Sequence, residues 1–358
     1  MSGVDADLVR AALGDSTPLP GTGGFAGRLD GALVRDVLGR RPVFSEADDP
    51  TVWSDDPTDL VDPDPVPAGC VRDGTGDRRV WTLPSPPASD SESAGDTVES
   101  AVRTSVESVD ADGLAVAFSG GVDSAVVAAG VPEAPCYVAG FPGSHDVAAA
   151  RDAADAMGRE LRVVELTHDD LERAVPEISR ATGRANAMDV AIALPLYLVA
   201  ECVAADGYDR LALGQGADEL FGGYAKVVDP AEDHRVDADT VRGATREVVA
   251  SLPDQLTRDV LTLRAAGVEP VTPLLHDRVV DAALRLPDDL LVSGDERKVA
   301  LRQAARGLVP ESVRTADKKA VQYGTYASRE LDRLARQAGF KRRMDDHVGQ
   351  YVESLLEE

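Results

Sequence analysis

Lysine is scarce in this chain. Of 37 basic residues only Lys226, Lys298, Lys318, Lys319 and Lys341 are lysine, and the other 32 are arginine. Aromatic residues are scarce too, at 4%, so a core must be built mainly from Ala, Val and Leu. The three cysteines, Cys70, Cys136 and Cys202, form no Cys-x-x-Cys pair and no Cys/His cluster. That count and spacing indicate neither a disulfide framework nor a zinc site, and the thiols read as small core residues of a reducing compartment. Acidic residues number 63, for a net charge of −26. This argues against nucleic acid as a main partner, because phosphate binding needs a basic face. No N-terminal stretch reads basic-then-apolar. The longest apolar stretch, VAIALPLYLVAECVAA, is interrupted by Pro195 and Glu201 and falls short of the roughly 18–20 residues of a membrane span. A cytoplasmic protein with no membrane partner is expected.

What is present is 43% hydrophobic in 358 residues, enough for one large or two unequal domains. Aspartate-rich, lysine-poor composition resembles that of cytosolic proteins of extreme halophiles, where a Debye length of about 3 Å or less lets dense surface charge coexist. Residues 1–83 are rich in Gly, Pro and Asp and read as short strands and turns. PSPPASDSESAGD, residues 84–96, has no apolar periodicity and reads as a linker. In residues 97–358 the texture changes. VESAVRTSVESV has helical spacing. GLAVAF, a short apolar run between glycine and a Ser-Gly-Gly turn, predicts a buried strand, and APCYVAGF, ELRVVEL and DRLALG predict three more strands. Between them HDVAAARDAADAMGR, DLERAVPEISRAT and DVAIALPLYLVAECVAADG read as helices, as does a segment starting near Asp123. The alternation predicts an α/β fold, a parallel sheet with helices on both faces. Beyond about residue 231 the pattern reads as almost entirely helical.

Two loops carry chemistry. AVAFSGGVDSA runs from Ala115 to Ala125 and joins a strand to a helix. Backbone N–H groups of such a turn and the helix N-terminus point at an anion. Gly120 and Gly121 let the backbone approach phosphate oxygens, and Ser119 and Ser124 add hydroxyl donors. Asp123 would repel phosphate directly but suits Mg²⁺, which bridges carboxylate and phosphates. The loop lacks the lysine and the spacing of GxxxxGK[ST]. The second loop, LALGQGADELFGGY from Leu211 to Tyr224, also follows a strand. Its Asp218 and Glu219 are flanked by Gly214, Gly216, Gly222 and Gly223. Ligands bind outside the carboxyl ends of parallel strands, so both loops are expected to face one crevice, with Asp123 and Asp218 sharing a magnesium.

The Ser-Gly-Gly-x-Asp-Ser string resembles the pyrophosphate loop of the N-type ATP pyrophosphatases, which cleave ATP between its α and β phosphates to adenylate a substrate. The second loop resembles the signature of the asparagine synthetase family within that group. Further likeness runs through VAGFPGSHDVAAARDAADAMG, ALPLYLVAE, RDVLTLRAAGVEPVTPLLHDRVVDAALRLP and RKVALRQAARGLVPESVRTADKKAVQYGT, from about residue 97 to 328. The resemblance implies ATP and Mg²⁺, a pyrophosphate loop of Ser119, Gly120, Gly121, Asp123 and Ser124, and an adenine pocket of Ala117, Phe118 and Ala139 with Gly214 and Gly216 beside it. It implies that Lys318, or its neighbour Lys319, neutralises charge on the adenylated intermediate.

The chain also departs from the family. GGFAGRLDGALVRDVLGRRPVF and VDPDPVPAGCVRD resemble the end of a class II glutamine amidotransferase domain, yet Ser2 stands where the family has its nucleophilic cysteine. The resemblance therefore implies a truncated amidotransferase-like region without glutaminase activity. Gln215 replaces a glutamate that is a candidate base for the incoming amine. Glu269 is kept, but Val271 replaces an arginine and His276 an aspartate. The expected reaction is ligation of a small carboxylate, aspartate first, to ammonia, another amine or nitrogen from a separate glutaminase subunit. Two alternatives are adenylation of a different acceptor and a non-catalytic ATP-binding subunit.

Overall fold

The computed structural model describes residues 1–316, 323–343 and 345–357. The N-terminal region opens with helix α1 (Ala6–Gly14), capped by the Asp5 carboxylate on the Asp7 N–H. This helix is absent from the strands-and-turns expectation. Strands β1 (Ala26–Leu29) and β2 (Ala32–Arg35) pair as an antiparallel hairpin. Its two-residue turn is Asp30-Gly31, with φ of 48° and 92°, as a turn matching strand twist requires. Strands β3 (Phe44–Glu46), β4 (Trp53–Ser54) and β5 (Pro63–Pro65) form a small second sheet, while β6 (Cys70–Asp73) and β7 (Gly76–Arg79) complete the first in the order β1-β2-β6-β7.

Residues 84–90 run extended and are pinned: Arg246 donates to the Pro84 carbonyl at 3.0 Å and Arg242 to that of Pro86. Helix α2 (Ser91–Glu107) then begins, capped by Asp90, so the second half of the expected linker is helical. Next come β8 (Leu114–Ala117), α3 (Val122–Gly130), β9 (Cys136–Gly140), α4 (His145–Met157), β10 (Leu161–Glu165), α5 (His168–Thr182), α6 (Ala187–Ala205), β11 (Arg210–Ala212) and the short α7 (Ala217–Leu220). After α8 (Val241–Ala250) and α9 (Leu252–Ala265) comes β12 (Glu269–Val271), and then α10 (Asp277–Ala283) and α11 (Asp288–Leu291). The hairpin β13 (Val292–Ser293) and β14 (Glu296–Arg297) leads to α12 (Val299–Ala304), α13 (Glu311–Arg314), α14 (Tyr323–Gln337) and α15 (His347–Leu356).

The central sheet is wholly parallel, in the order β10-β9-β8-β11-β12. This bears out the α/β expectation and adds a strand. β12 was hidden in the stretch read as helical because it is three residues long, contains Pro270 and sits at the sheet edge, where a proline is tolerated. Alternation of side chains builds two cores. Leu114, Val116, Cys136, Val138 and Ala212 face α2, α3 and α4, while Ala115, Tyr137, Ala139 and Leu211 face α5, α6 and α9. Burial on both faces explains why these strands read as continuous apolar runs. Helix α6 is apolar all round and long enough by composition to cross a membrane. Here it is a core helix packed on α5, α9, α14 and β9.

The N-terminal region shares the first core through Val9, Phe25 and Trp81. A buried ion-pair network fastens it further: Arg40 meets Asp36 at 2.9 Å and Asp277 at 2.7 Å. The other Asp277 oxygen accepts the Gly21 and Thr22 N–H groups at 2.9 and 2.7 Å. Chain order runs outward from β8 through β9 to β10, then returns to β11 on the other side of β8. The crevice between β8 and β11 is therefore the switch point of the sheet, where α/β folds bind ligands.

Candidate functional site

Both glycine-rich loops leave the carboxyl ends of these two adjacent strands. After β8, Gly120 takes φ 77° and passes so near α4 that a Cβ there would stand 2.8 Å from the Ala149 carbonyl oxygen. Gly121 precedes α3 with no side-chain cap, so the first N–H groups of the helix are left for an outside acceptor. The buried Ser124 hydroxyl instead braces the loop: it accepts from Ser119 N at 3.2 Å and donates to the Gly121 carbonyl at 3.1 Å. Ser119 Oγ stands 3.3 Å from it. Asp123 lies in the first turn of α3.

The second loop comes directly against the first. A Cβ on Gly214 would stand 2.9 Å from Asp123 Cβ and 3.0 Å from Ser124 N. Gly216, at φ 91°, turns the chain into α7. Asp218 and Asp123 meet at a single atom: Lys298 Nζ lies 2.6 Å from Asp123 Oδ2 and 2.6 Å from Asp218 Oδ1. The two oxygens are thus no further apart than twice that distance. Lys298 is 3% exposed. Burial alone would pull its pKa down, but the two carboxylates outweigh burial and raise it. Its backbone is left-handed, at φ 60° and ψ 38°, a conformation costing a residue with a side chain about 1–2 kcal/mol. Asp123 Oδ1 is buried with no hydrogen-bond partner among the described residues. Beside it, Glu219 is buried and its pKa is raised by burial, although it accepts the Tyr224 hydroxyl at 2.6 Å.

An asparagine synthase family model matches residues 95–261 and 229–357. The chain belongs to the asparagine synthase family. It is 26% identical over 283 residues to the putative asparagine synthetase [glutamine-hydrolyzing] 1 of Methanocaldococcus jannaschii, covering 69% of this chain and 52% of that one. It is 25% identical over 218 residues to asparagine synthetase B [glutamine-hydrolyzing] of Escherichia coli, covering 55% and 39%. The chain spans about half the length of the first of these relatives and less of the second.

The structure brings some of the expected site residues together and separates others. Ser119, Gly120, Gly121, Asp123, Ser124, Gly214, Gly216 and Asp218 converge at the switch point. Ala117 ends β8 partly exposed, but the Phe118 side chain is wholly buried in the core and Ala139 is 3% exposed, which leaves mainly backbone to line an adenine pocket there. Gln215 donates from Nε2 to Asp259 Oδ2. Asp259, on α9, is buried; burial raises its pKa, against the pull of Arg258 and Gln215. Arg258 bridges Asp259 to Asp189 at 2.8 Å each. Glu269 opens β12, at the end of the strand away from the crevice, and Arg264 holds its exposed carboxylate at 2.8 Å. It and Gln215 line one cavity with Arg40, Arg41, Arg264 and Thr272. The expectations on Lys318 and Lys319 lie outside the described residues. Ser2 is tied into the N-terminal sheet, donating its N–H to the Ala26 carbonyl at 2.8 Å.

Lys298 and Asp259 escape sequence reasoning. The one signal for Lys298 was scarcity, since five lysines are few enough to ask after each. Among the described residues no group of three or more His, Cys, Asp and Glu converges as a self-sufficient metal site. The fit is to a cation that brings other ligands with it: two carboxylates on one point and a buried, unpartnered Asp123 oxygen.

Proposed function

We propose that this chain is an ATP-dependent ligase that forms AMP and pyrophosphate and makes an amide through an acyl-adenylate, with aspartate as the first carboxylate to test. The observation that carries this reading is the meeting of Asp123 and Asp218 across the switch point, next to the uncapped N-terminus of α3. The N–H groups of Gly121 and the first turn of α3 would bind the β and γ phosphates and stabilise the charge that builds on departing pyrophosphate. Asp123 and Asp218 would hold Mg²⁺, which, when bound, neutralises phosphate charge. Ser124 keeps the loop in shape. Nitrogen would come from ammonia, another amine or a separate glutaminase subunit.

A second reading keeps adenylation and changes the acceptor. It is favoured by Gln215, whose amide is bound to Asp259 rather than presenting a carboxylate to an amine. Pyrophosphate release across a substrate screen tests both. Release that requires aspartate and ammonium supports the first reading, and release only with another acceptor supports the second. No release with any acceptor sinks both. Glutamine alone should yield no glutamate.

A further inference from the structure

Lys298 has no part in the reading above, yet it occupies the place where the two carboxylates meet. Its side chain is buried, and no other ion-pair partner is within reach among the described residues. Its backbone is left-handed in a position where glycine would be easier. Strain of this kind persists only where the surrounding structure imposes it, and it clusters at functional sites. The hairpin β13–β14 that carries it is tied to the second loop, with Arg297 donating to the Gly223 carbonyl at 2.6 Å. Gly223 itself leaves the room through which the lysine stem passes.

We propose that Lys298 is the resident counter-ion of the Asp123–Asp218 pair, which excludes a divalent cation arriving alone and gives way only to one delivered with a nucleotide polyphosphate. This rests on the assignment of that pair to a metal. The physical reason is charge balance. Two carboxylates against one ammonium leave a net charge of −1. A lone divalent cation entering between them would drive a buried ammonium off both partners and leave it uncompensated, at a heavy desolvation cost. A polyphosphate entering with the cation offers oxygens to the displaced ammonium, so cation and nucleotide should each tighten the other's binding, reciprocally. The tightness of metal binding without nucleotide is then set by residue 298 rather than by the aspartates alone.

The experiment is a Mn²⁺ titration followed by the electron paramagnetic resonance of free Mn²⁺, with and without a non-hydrolysable ATP analogue bridged by a methylene between its α and β phosphates. Wild-type protein should bind Mn²⁺ weakly alone and about tenfold or more tighter with the analogue. Lys298→Gln should bind Mn²⁺ about tenfold or more tighter than wild type without the analogue, and should lose most of the analogue's effect. Adding Asp123→Asn to Lys298→Gln should abolish that gain. Melting gives a second readout that also serves if Lys298→Gln folds poorly: Mg²⁺ alone should raise the melting temperature of the variant and leave wild type unmoved. Equal Mn²⁺ affinity of wild type and Lys298→Gln without nucleotide overturns the proposal alone. No Mn²⁺ binding by either protein even with the analogue overturns the metal assignment of the aspartates, and the proposal with it.

Discussion

The backbone of Gly223 lies against the side chain of Lys298, so closely that a methyl group on residue 223 would overlap Lys298 Cε and Asp218 Oδ1. Its φ is not left-handed, so what the position demands is space. Gly223→Ala should therefore push the lysine off the carboxylates and cost about 1–3 kcal/mol, as overpacking does. Pyrophosphate release should fall with it. Gly74→Ala is the control, because nothing stands within 4 Å of a Cβ there. Equal urea midpoints for the two variants would show that residue 223 has slack.

Asp123→Asn and Asp218→Asn each remove one arm of the Lys298 bridge. The side chains are 21% and 18% exposed, so the stability cost should lie below the roughly 3–5 kcal/mol of breaking a fully buried pair. Both variants should still fold. Each should lower ATP-dependent pyrophosphate release at least about a hundredfold, the scale of losing one preorganised stabiliser of transition-state charge. Melting curves and release assays on the same samples separate the two effects. Either variant working at near wild-type rate would refute a shared magnesium.

The two loops were legible in the sequence because their chemistry is local. A strand end, glycines and an Asp within a few residues of Ser119 or Gly214 are all read from one window. Strands β8 and β9 were legible for a similar reason, since strands buried on both faces are continuous apolar runs. Lys298 was not, because it meets Asp123 across 175 positions and nothing in RKVALRQ distinguishes a buried bridge from an exposed helix-end lysine. Asp259 was hidden in the same way: in RDVLTLR it reads as the solvated face of a helix, and only the fold turns it towards Gln215. Glu269 stands at the amino end of β12 on Arg264 and shares a cavity with Gln215, a placement set by strand register that no local window of sequence shows.

Salt should stabilise this protein well beyond ordinary ionic strength. A chain with a net charge of −26 repels itself when compact. Screening shortens from about 10 Å at 0.1 M to about 3 Å at 1 M, so self-repulsion should fade over that range. The melting temperature should rise steadily with KCl, and the same concentrations of a neutral osmolyte should not reproduce the dependence on ionic strength. A flat or falling curve would remove the case for adaptation to high salt.

Gln215→Glu installs the glutamate that the resemblance to the family implies, but the structure gives it a neighbour that changes the outcome. In the wild type the Gln215 amide donates to Asp259, which is 5% exposed and also accepts from Arg258 Nε at 2.8 Å. A glutamate at 215 would turn a carboxylate oxygen towards that carboxylate. Two like charges in such a site cannot both ionise easily, so the pair would share one proton and titrate as a unit. Its folded pKa would then lie above the unfolded value. A group raised in this way contributes stability that is present at low pH and lost as pH rises through the folded pKa. Gln215→Glu should therefore melt close to wild type near about pH 5 and progressively below it towards about pH 9, each unit of elevation costing about 1.4 kcal/mol above it. Combining Gln215→Glu with Asp259→Asn exchanges amide and carboxylate, restores one donor and one acceptor, and should return the melting profile to the wild-type slope. If free ammonia is the nucleophile, the rate of amide formation by wild type should climb with pH, and the exchanged double variant, with a carboxylate at 215, should flatten that climb. Parallel melting profiles for wild type and Gln215→Glu would mean that residue 215 does not face Asp259. Loss of activity in the double variant at every pH would mean that the Gln215 amide is needed to bind an acceptor other than aspartate.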